Sequence, residues 1–225
     1  MARSQTDGSQ PGPLGPDTGL LNGAVRRDLV DLNLGYLELG ASLVDGEDPL
    51  FAWTAAVRRE IVAAEPAVRA RMAECPFSLF KIALPGSTGP DPGGPRVEDA
   101  AVRAPQGGRA ARCQEFSSAA LFAAWRLADS APLAARIVFG LQPVEELRLN
   151  ELSPSQVGAL AADPGVVRAR WPDRPRFWAA LRSAAETSTP AALQWAHCMG
   201  ICLIEEGPAG LRDGDPAPPA GRRRR

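Results

Sequence analysis

The chain has a single histidine, His197, among its 225 residues. Ser-His-Asp and Cys-His catalysis both depend on a histidine base, so a site of either kind is limited to this position. Its neighbours Trp195, Cys198, Met199 and Ile201 are mostly apolar and fall on a predicted helix, which is typical of a core or interface histidine. We therefore predict a non-enzymatic protein with no small-molecule substrate.

A glycine-rich phosphate loop is also missing from the sequence. Its densest run of glycines is interleaved with prolines, which lack the backbone N–H donors that such a loop needs. Adjacent carboxylates such as Glu145 and Glu146 point apart on a helix, so we interpret them as solvated surface. No cofactor is predicted.

Long apolar runs are absent as well. No window holds the roughly 18 apolar residues of a membrane span, and the first residues lack the apolar core of a signal peptide. The sequence therefore predicts a cytoplasmic protein with no membrane partner. Cys198 and Cys202 are four residues apart and share one helix face, a spacing that metal ligands use. Zinc would need a third ligand, from Cys75 or Cys113, so we favour reduced thiols and predict no metal.

Lysine is nearly absent, because Lys81 is the only one among 25 basic residues. Arginine binds phosphate well, although a G+C-rich coding bias explains the arginine content more simply. The net charge of −1 gives no whole-chain basic field of the kind that indicates a nucleic-acid partner. Four arginines nevertheless flank Trp171 and are candidate DNA contacts, or else a solvated surface with an anchoring tryptophan: Arg168, Arg170, Arg174 and Arg176.

Glycine and proline, 22 of each, are concentrated in three places and divide the chain. The resulting segments are a disordered arm at 1–22, a first helical block at 23–84, a linker at 85–112, a second helical block at 113–206 and a disordered basic tail at 207–225 that ends in Arg222–Arg225. We therefore predict an all-α fold with two small helical bundles.

The two blocks follow a similar order of predicted elements. The first helix, capped by Asp28 or Asp31, ends near Leu43. In each block a short apolar run follows the proline-started helix, Phe77–Leu84 in the first and Val166–Trp171 in the second, and the first of these fits either a strand or an extended cover. Pro66, Ala73 and Pro76 align with Pro154, Ala161 and Pro164, so the blocks are either a duplication or a chance match of Ala/Leu-rich helices.

One stripe of the first helix carries the most specific residue order. Leu32, Tyr36, Leu39 and Leu43 recur at helical spacing, within the order Asp-x-Asn-Leu-x-Tyr-Leu-x-Leu-x-x-x-Leu. This order, with Asn33 in it, resembles the first helix of FlhD, the helical subunit of the bacterial flagellar master regulator. The second block resembles later parts of that family at two places: Leu152, Gln156, Val157, Leu160 and Ala161, and then Leu193, Gln194 and His197.

The resemblance implies a transcriptional regulator or co-regulator subunit in flagellar gene control. FlhD is about half this length and forms a homodimer, so the chain is either one FlhD-like fold split by an insertion or a tandem that makes a covalent pseudo-dimer. Asn33, Tyr36, Leu39 and Leu43 are then core or interface residues. The implied protein partner is a second copy or an FlhC-type subunit, with DNA contacted mainly through that partner. The alternative is a helical protein-interaction adaptor with no DNA binding.

Overall fold

Nine α-helices and one two-stranded sheet make up most of the described chain, which is therefore mainly helical, as predicted. A computed structural model describes residues 21–43, 49–85 and 107–206. The elements are α1 Gly23–Ser42, a 3-10 turn Pro49–Phe51, α2 Ala55–Ala63, α3 Pro66–Met72, β1 Phe80–Ile82, α4 Gly108–Ser130, α5 Pro132–Phe139, α6 Pro143–Asn150, α7 Pro154–Leu160, β2 Val167–Ala169, α8 Pro175–Thr187 and α9 Pro190–Glu206.

Most helices begin where the sequence supplies a local start signal. Six of them open with proline: α3, α5, α6, α7, α8 and α9. The predicted cap of α1 at Asp28 or Asp31 is wrong. The Asn22 side chain instead accepts hydrogen bonds from the N–H groups of Ala24 and Val25, so α1 begins earlier, at Gly23.

The two short apolar runs, one from each block, form the antiparallel sheet. Lys81 lies opposite Arg168, with Phe80 opposite Ala169 and Ile82 opposite Val167. In both strands the middle residue is exposed and its neighbours are buried, as the pleat of a half-buried strand requires. Backbone hydrogen bonds therefore join the first block to the second.

A single hydrophobic core contains residues of both blocks. Helix α1 packs against α4, and α2 and α3 pack against α8. The predicted division into two separate bundles is therefore not confirmed. Gly108–Arg112, assigned to the linker by the sequence, belong to the first turns of α4. Outside the described residues lie linker residues 86–106, the N-terminal arm up to residue 20, and the basic tail with Arg222–Arg225.

The blocks present the same order of main elements. A long helix opens each one, α1 of 20 residues and α4 of 23. A seven-residue helix with proline at its start precedes each strand, α3 before β1 and α7 before β2. Helices α8 and α9 follow β2 and have no counterpart among the described residues of the first block. None of the helices in the described part of the chain is long and apolar enough to span a bilayer.

Candidate functional site

Buried polar side chains fix the contact between the two blocks, which we call the seam. Asn33 acts from within the first block, because all three of its hydrogen-bond partners belong to that block. Its amide nitrogen donates to the carbonyl oxygens of Ala73 (3.2 Å) and Phe77 (2.9 Å), and its amide oxygen accepts from the N–H of Leu79 (2.9 Å). An unsatisfied buried polar group costs about 1–3 kcal/mol, and these bonds avoid that cost. Asn33 thus fastens the segment that leads into β1 to the middle of α1.

Tyr36 lies at the centre of an aromatic cluster that spans both blocks. Its ring is fully buried, with centroid distances of 5.2 Å to Phe51 and 5.8 Å to Phe116 on α4. Its hydroxyl donates to the carbonyl oxygen of Leu50 at 3.0 Å. Tyr36 therefore holds the turn after α1 and the second long helix together.

The other residues of the α1 stripe differ in burial. Leu43 is buried, whereas Leu39 is half-buried at the edge of the core. Between them, Gly40 contacts the rings of Trp53 and Phe51 so closely that a Cβ atom would clash with Trp53. The stripe thus packs mainly within the chain.

Arg170 is buried, with 6% of its surface exposed. Its guanidinium donates to the carbonyl oxygens of Val138 (2.8 Å), Ile137 (3.2 Å) and Ser78 (3.2 Å). Two of these carbonyls end α5, so the cation neutralises the negative end of that helix. Burial lowers the pKa of Arg170 to about 9, which leaves it charged at neutral pH. A side chain bonded in this way cannot reach a phosphate, so the prediction of Arg170 as a DNA contact is corrected to a role in the fold.

Lys81 and Arg168 form the exposed face of the sheet, which we call the basic pair. They lie directly opposite each other in the register, and both are exposed. Among the described residues neither forms an ion pair with a carboxylate, although the Arg168 Nε donates to the carbonyl oxygen of Gly165 at 2.8 Å. Like charges opposite each other in a sheet repel, and an anion placed between them relieves the repulsion. The basic pair is thus the arrangement best suited to a phosphate group.

The remaining two predicted arginines lie near the start of α8. Arg174 is half-buried immediately before the helix, and Arg176 is exposed in its first turn. Trp171 packs its ring against Phe177 at a centroid distance of 4.7 Å, and its carbonyl oxygen accepts from the Trp178 indole at 3.0 Å. Trp171 therefore anchors this turn to the core, and only Arg168 and Arg176 of the four arginines are fully exposed.

Glu145 is a seam residue that the sequence placed wrongly on the surface. Only 3% of it is exposed, and its carboxylate accepts from the N–H groups of Leu84 (3.1 Å) and Gln142 (2.7 Å). The first bond holds the chain after β1, and the second completes a capping box at the start of α6. The signal was available locally, because Glu145 stands three residues after Gln142 with a proline between them.

His197 lies between the core and the surface on α9. Its ring edge faces Phe77 at a centroid distance of 6.4 Å, and its buried Nε2 has no hydrogen-bond partner among the described residues. Burial lowers the pKa of this histidine, with a smaller effect of Arg26 in the same direction. Cys198 and Cys202 are exposed. In the part of the chain that the structure describes, no three His, Cys, Asp or Glu side chains converge as metal ligands would.

A groove of about 380 Å³ separates the start of α1 from the ends of α4 and α5. Asp28, Arg126 and Asp129 are among its polar lining residues, and Leu29 and Phe139 are among its apolar ones. No histidine or cysteine lines it, so the groove offers neither a histidine base nor a thiol nucleophile.

Comparison with known protein families, with curated proteins and with solved structures found no match. Proposals about function therefore rest on the order of the residues and on the geometry of the seam.

Proposed function

We propose that the chain is a non-enzymatic transcriptional regulator or co-regulator subunit built from two FlhD-like units in tandem, a covalent pseudo-dimer. The observation that carries the proposal is the antiparallel pairing of β1 with β2. Two equivalent segments related by a two-fold axis pair in this way, each contributing the same contacts to the other.

Three further features support the tandem. The long helices α1 and α4 pack against each other, as equivalent helices of two subunits do. The strands are followed by matching dipeptides, Leu84-Pro85 and Trp171-Pro172. Finally, the Lys81–Arg168 pair falls at the centre of the strand register, where a pseudo-two-fold axis would pass.

In this proposal the basic pair contacts the phosphate backbone, and Arg176 adds a contact from the first turn of α8. Since the net charge is −1, the chain's own affinity for DNA is weak, and an FlhC-type partner supplies the rest. A regulator of flagellar genes is the role that the α1 residue order supports.

The test is a DNA titration by fluorescence anisotropy, alone and with an FlhC-type subunit, at several salt concentrations. Each phosphate contact contributes about −0.9 to the slope of log K against log salt. The double variant Lys81→Ala/Arg168→Ala should lower the steepness of the slope by about 2. The matched control, Arg59→Ala/Arg112→Ala, removes two exposed arginines from α2 and α4 and should leave the slope unchanged.

The second candidate function is a protein-interaction adaptor with no DNA binding. The observation that favours it is the exposure of large apolar side chains on several helices: Val62, Leu133, Val144, Leu147, Trp195 and Ile201. A DNA affinity that does not change with salt concentration, with and without the partner, would contradict the regulator proposal. The adaptor would then be the remaining candidate.

A further inference from the structure

One face of α9 exposes an apolar stripe, which we define as Trp195, Cys198, Ile201 and Cys202. These residues are spaced three or four apart, so they share one side of the helix. Trp195 is 60% exposed and Ile201 42%, and both cysteines are exposed. The opposite side is occupied: Ala196 is buried and Gly200 lies against the Phe77 ring, while the helix packs on α8.

The composition of α9 is unusual for a helix with an exposed side. Between Pro190 and Ile204 it contains no Asp, Glu, Lys or Arg. The solvent face of a surface helix normally carries such charges. The core of a protein interface, in contrast, is depleted of charge and enriched in tryptophan and methionine. The α9 stripe therefore has the character of an interface.

We propose that the α9 stripe binds the α9 stripe of a second copy of this chain, with the two helices antiparallel. Charge complementarity is the first argument for this occupant. Glu205 is exposed at the C-terminal end of α9, where the helix dipole opposes its charge. An antiparallel second copy brings the positive N-terminal end of its α9 beside this carboxylate.

The shape of the stripe is the second argument. The largest side chain, Trp195, lies at one end and the small Cys202 at the other. In an antiparallel pair with its axis between Cys198 and Met199, each tryptophan lies over the partner's Cys202. The arrangement is self-complementary, as a two-fold interface must be.

The first experiment measures the mass of the intact chain by sedimentation across concentrations. A pair of single helices makes a small interface, so we expect a dimer with a Kd of roughly 1–100 µM. Trp195→Glu should weaken dimerisation at least tenfold. The matched control is Leu147→Glu on α6, which changes a residue that is 62% exposed. This control should leave the dimerisation constant unchanged. Ile201→Glu provides a second variant should Trp195→Glu fail to fold.

The second experiment tests the orientation by oxidation of the dimer with diamide, which accepts the two thiol hydrogens as a disulfide forms. In the antiparallel pair the two Cys198 residues are offset by about 1.5 Å along the axis, whereas the two Cys202 residues are about 10 Å apart. Cross-linking should therefore be lost in Cys198→Ser and retained in Cys202→Ser.

Three results would overturn the proposal: a monomer at about 500 µM, a dimer that survives both glutamate variants, or a cross-link through Cys202. The chain would remain a monomer if the α9 stripe were covered by another part of the chain or bound a different protein. The basic pair lies on the sheet and not on α9, so loss of the dimer and loss of the DNA salt slope are separate outcomes.

Discussion

At the scale of single residues, Arg170 shows how a charge can serve the fold. Its guanidinium has no carboxylate among its hydrogen-bond partners and instead joins the end of α5 to Ser78 before β1. An arginine that flanks an aromatic in sequence can equally be a phosphate contact, and only the distant residues it meets distinguish the two roles. Arg168, two residues earlier, is exposed as the middle residue of β2. Arg170 is buried because it lies beyond the end of that strand, where the alternation of the pleat no longer applies.

The first prediction concerns Arg170→Met. This change leaves the three carbonyl oxygens at the seam without their charged donor, so it should lower the free energy of unfolding by about 2–4 kcal/mol. The matched control is Arg168→Met, two residues away and exposed, which should change it by less than about 0.5 kcal/mol. Urea denaturation followed by tryptophan fluorescence measures both. Equal effects of the two changes would show that the buried guanidinium contributes nothing specific.

Two variants of Tyr36 separate the contribution of its ring to stability from that of its hydroxyl. Tyr36→Ala removes a fully buried ring from a cluster of both blocks and should cost about 2–5 kcal/mol. Tyr36→Phe keeps the ring and removes only the bond to Leu50, at a cost of about 1 kcal/mol. Thermal unfolding would distinguish them. An unchanged melting temperature for Tyr36→Ala would mean that the ring contacts a partner and not the core.

At the scale of elements, the sequence predicts the helices well because their signals are local. Proline at the first turn and the spacing of apolar residues place most of them. The sequence does not decide between a strand and an extended cover, because a three-residue strand acquires its identity only from a partner 87 residues away, as Lys81 and Arg168 show. The role of Arg170 is hidden for the same reason, since its hydrogen-bond partners come from distant segments. Glu145 differs, because its capping box with Gln142 is a local signal.

The end of α5 gives a prediction at this scale. Gly140 follows the helix with φ of +69°, and a Cβ atom there would lie 3.4 Å from the Lys81 Cβ. Gly140→Ala should therefore cost about 1 kcal/mol or more. Gly158→Ala is the matched control, because that glycine lies inside α7 with open space around it and should gain about 0.5–1 kcal/mol. Chemical denaturation would show a lower free energy of unfolding for Gly140→Ala and a higher one for Gly158→Ala. A lower value for both variants would contradict the prediction.

At the scale of the whole molecule, the seam gives the two blocks one common core. The sheet takes one strand from each block, and Tyr36 packs on both. A homodimer of two such units depends on protomer concentration for its stability, whereas a covalent pseudo-dimer does not. In the tandem that we propose, the two halves would be free to diverge, and Lys81 and Arg168 at the centre of the sheet differ.

A shared core predicts that the chain unfolds in one step. Unfolding of the first block would remove Tyr36 and Phe80 from their partner Phe116 in the second block. Neither block should therefore stay folded without the other. Calorimetry should then give one transition whose calorimetric and van't Hoff enthalpies agree. Tyr36→Ala in α1 and Leu181→Ala in α8, both at fully buried residues, should each lower the midpoint of that same transition. Two resolved transitions, each shifted by only one of these changes, would show instead that the blocks are independent bundles.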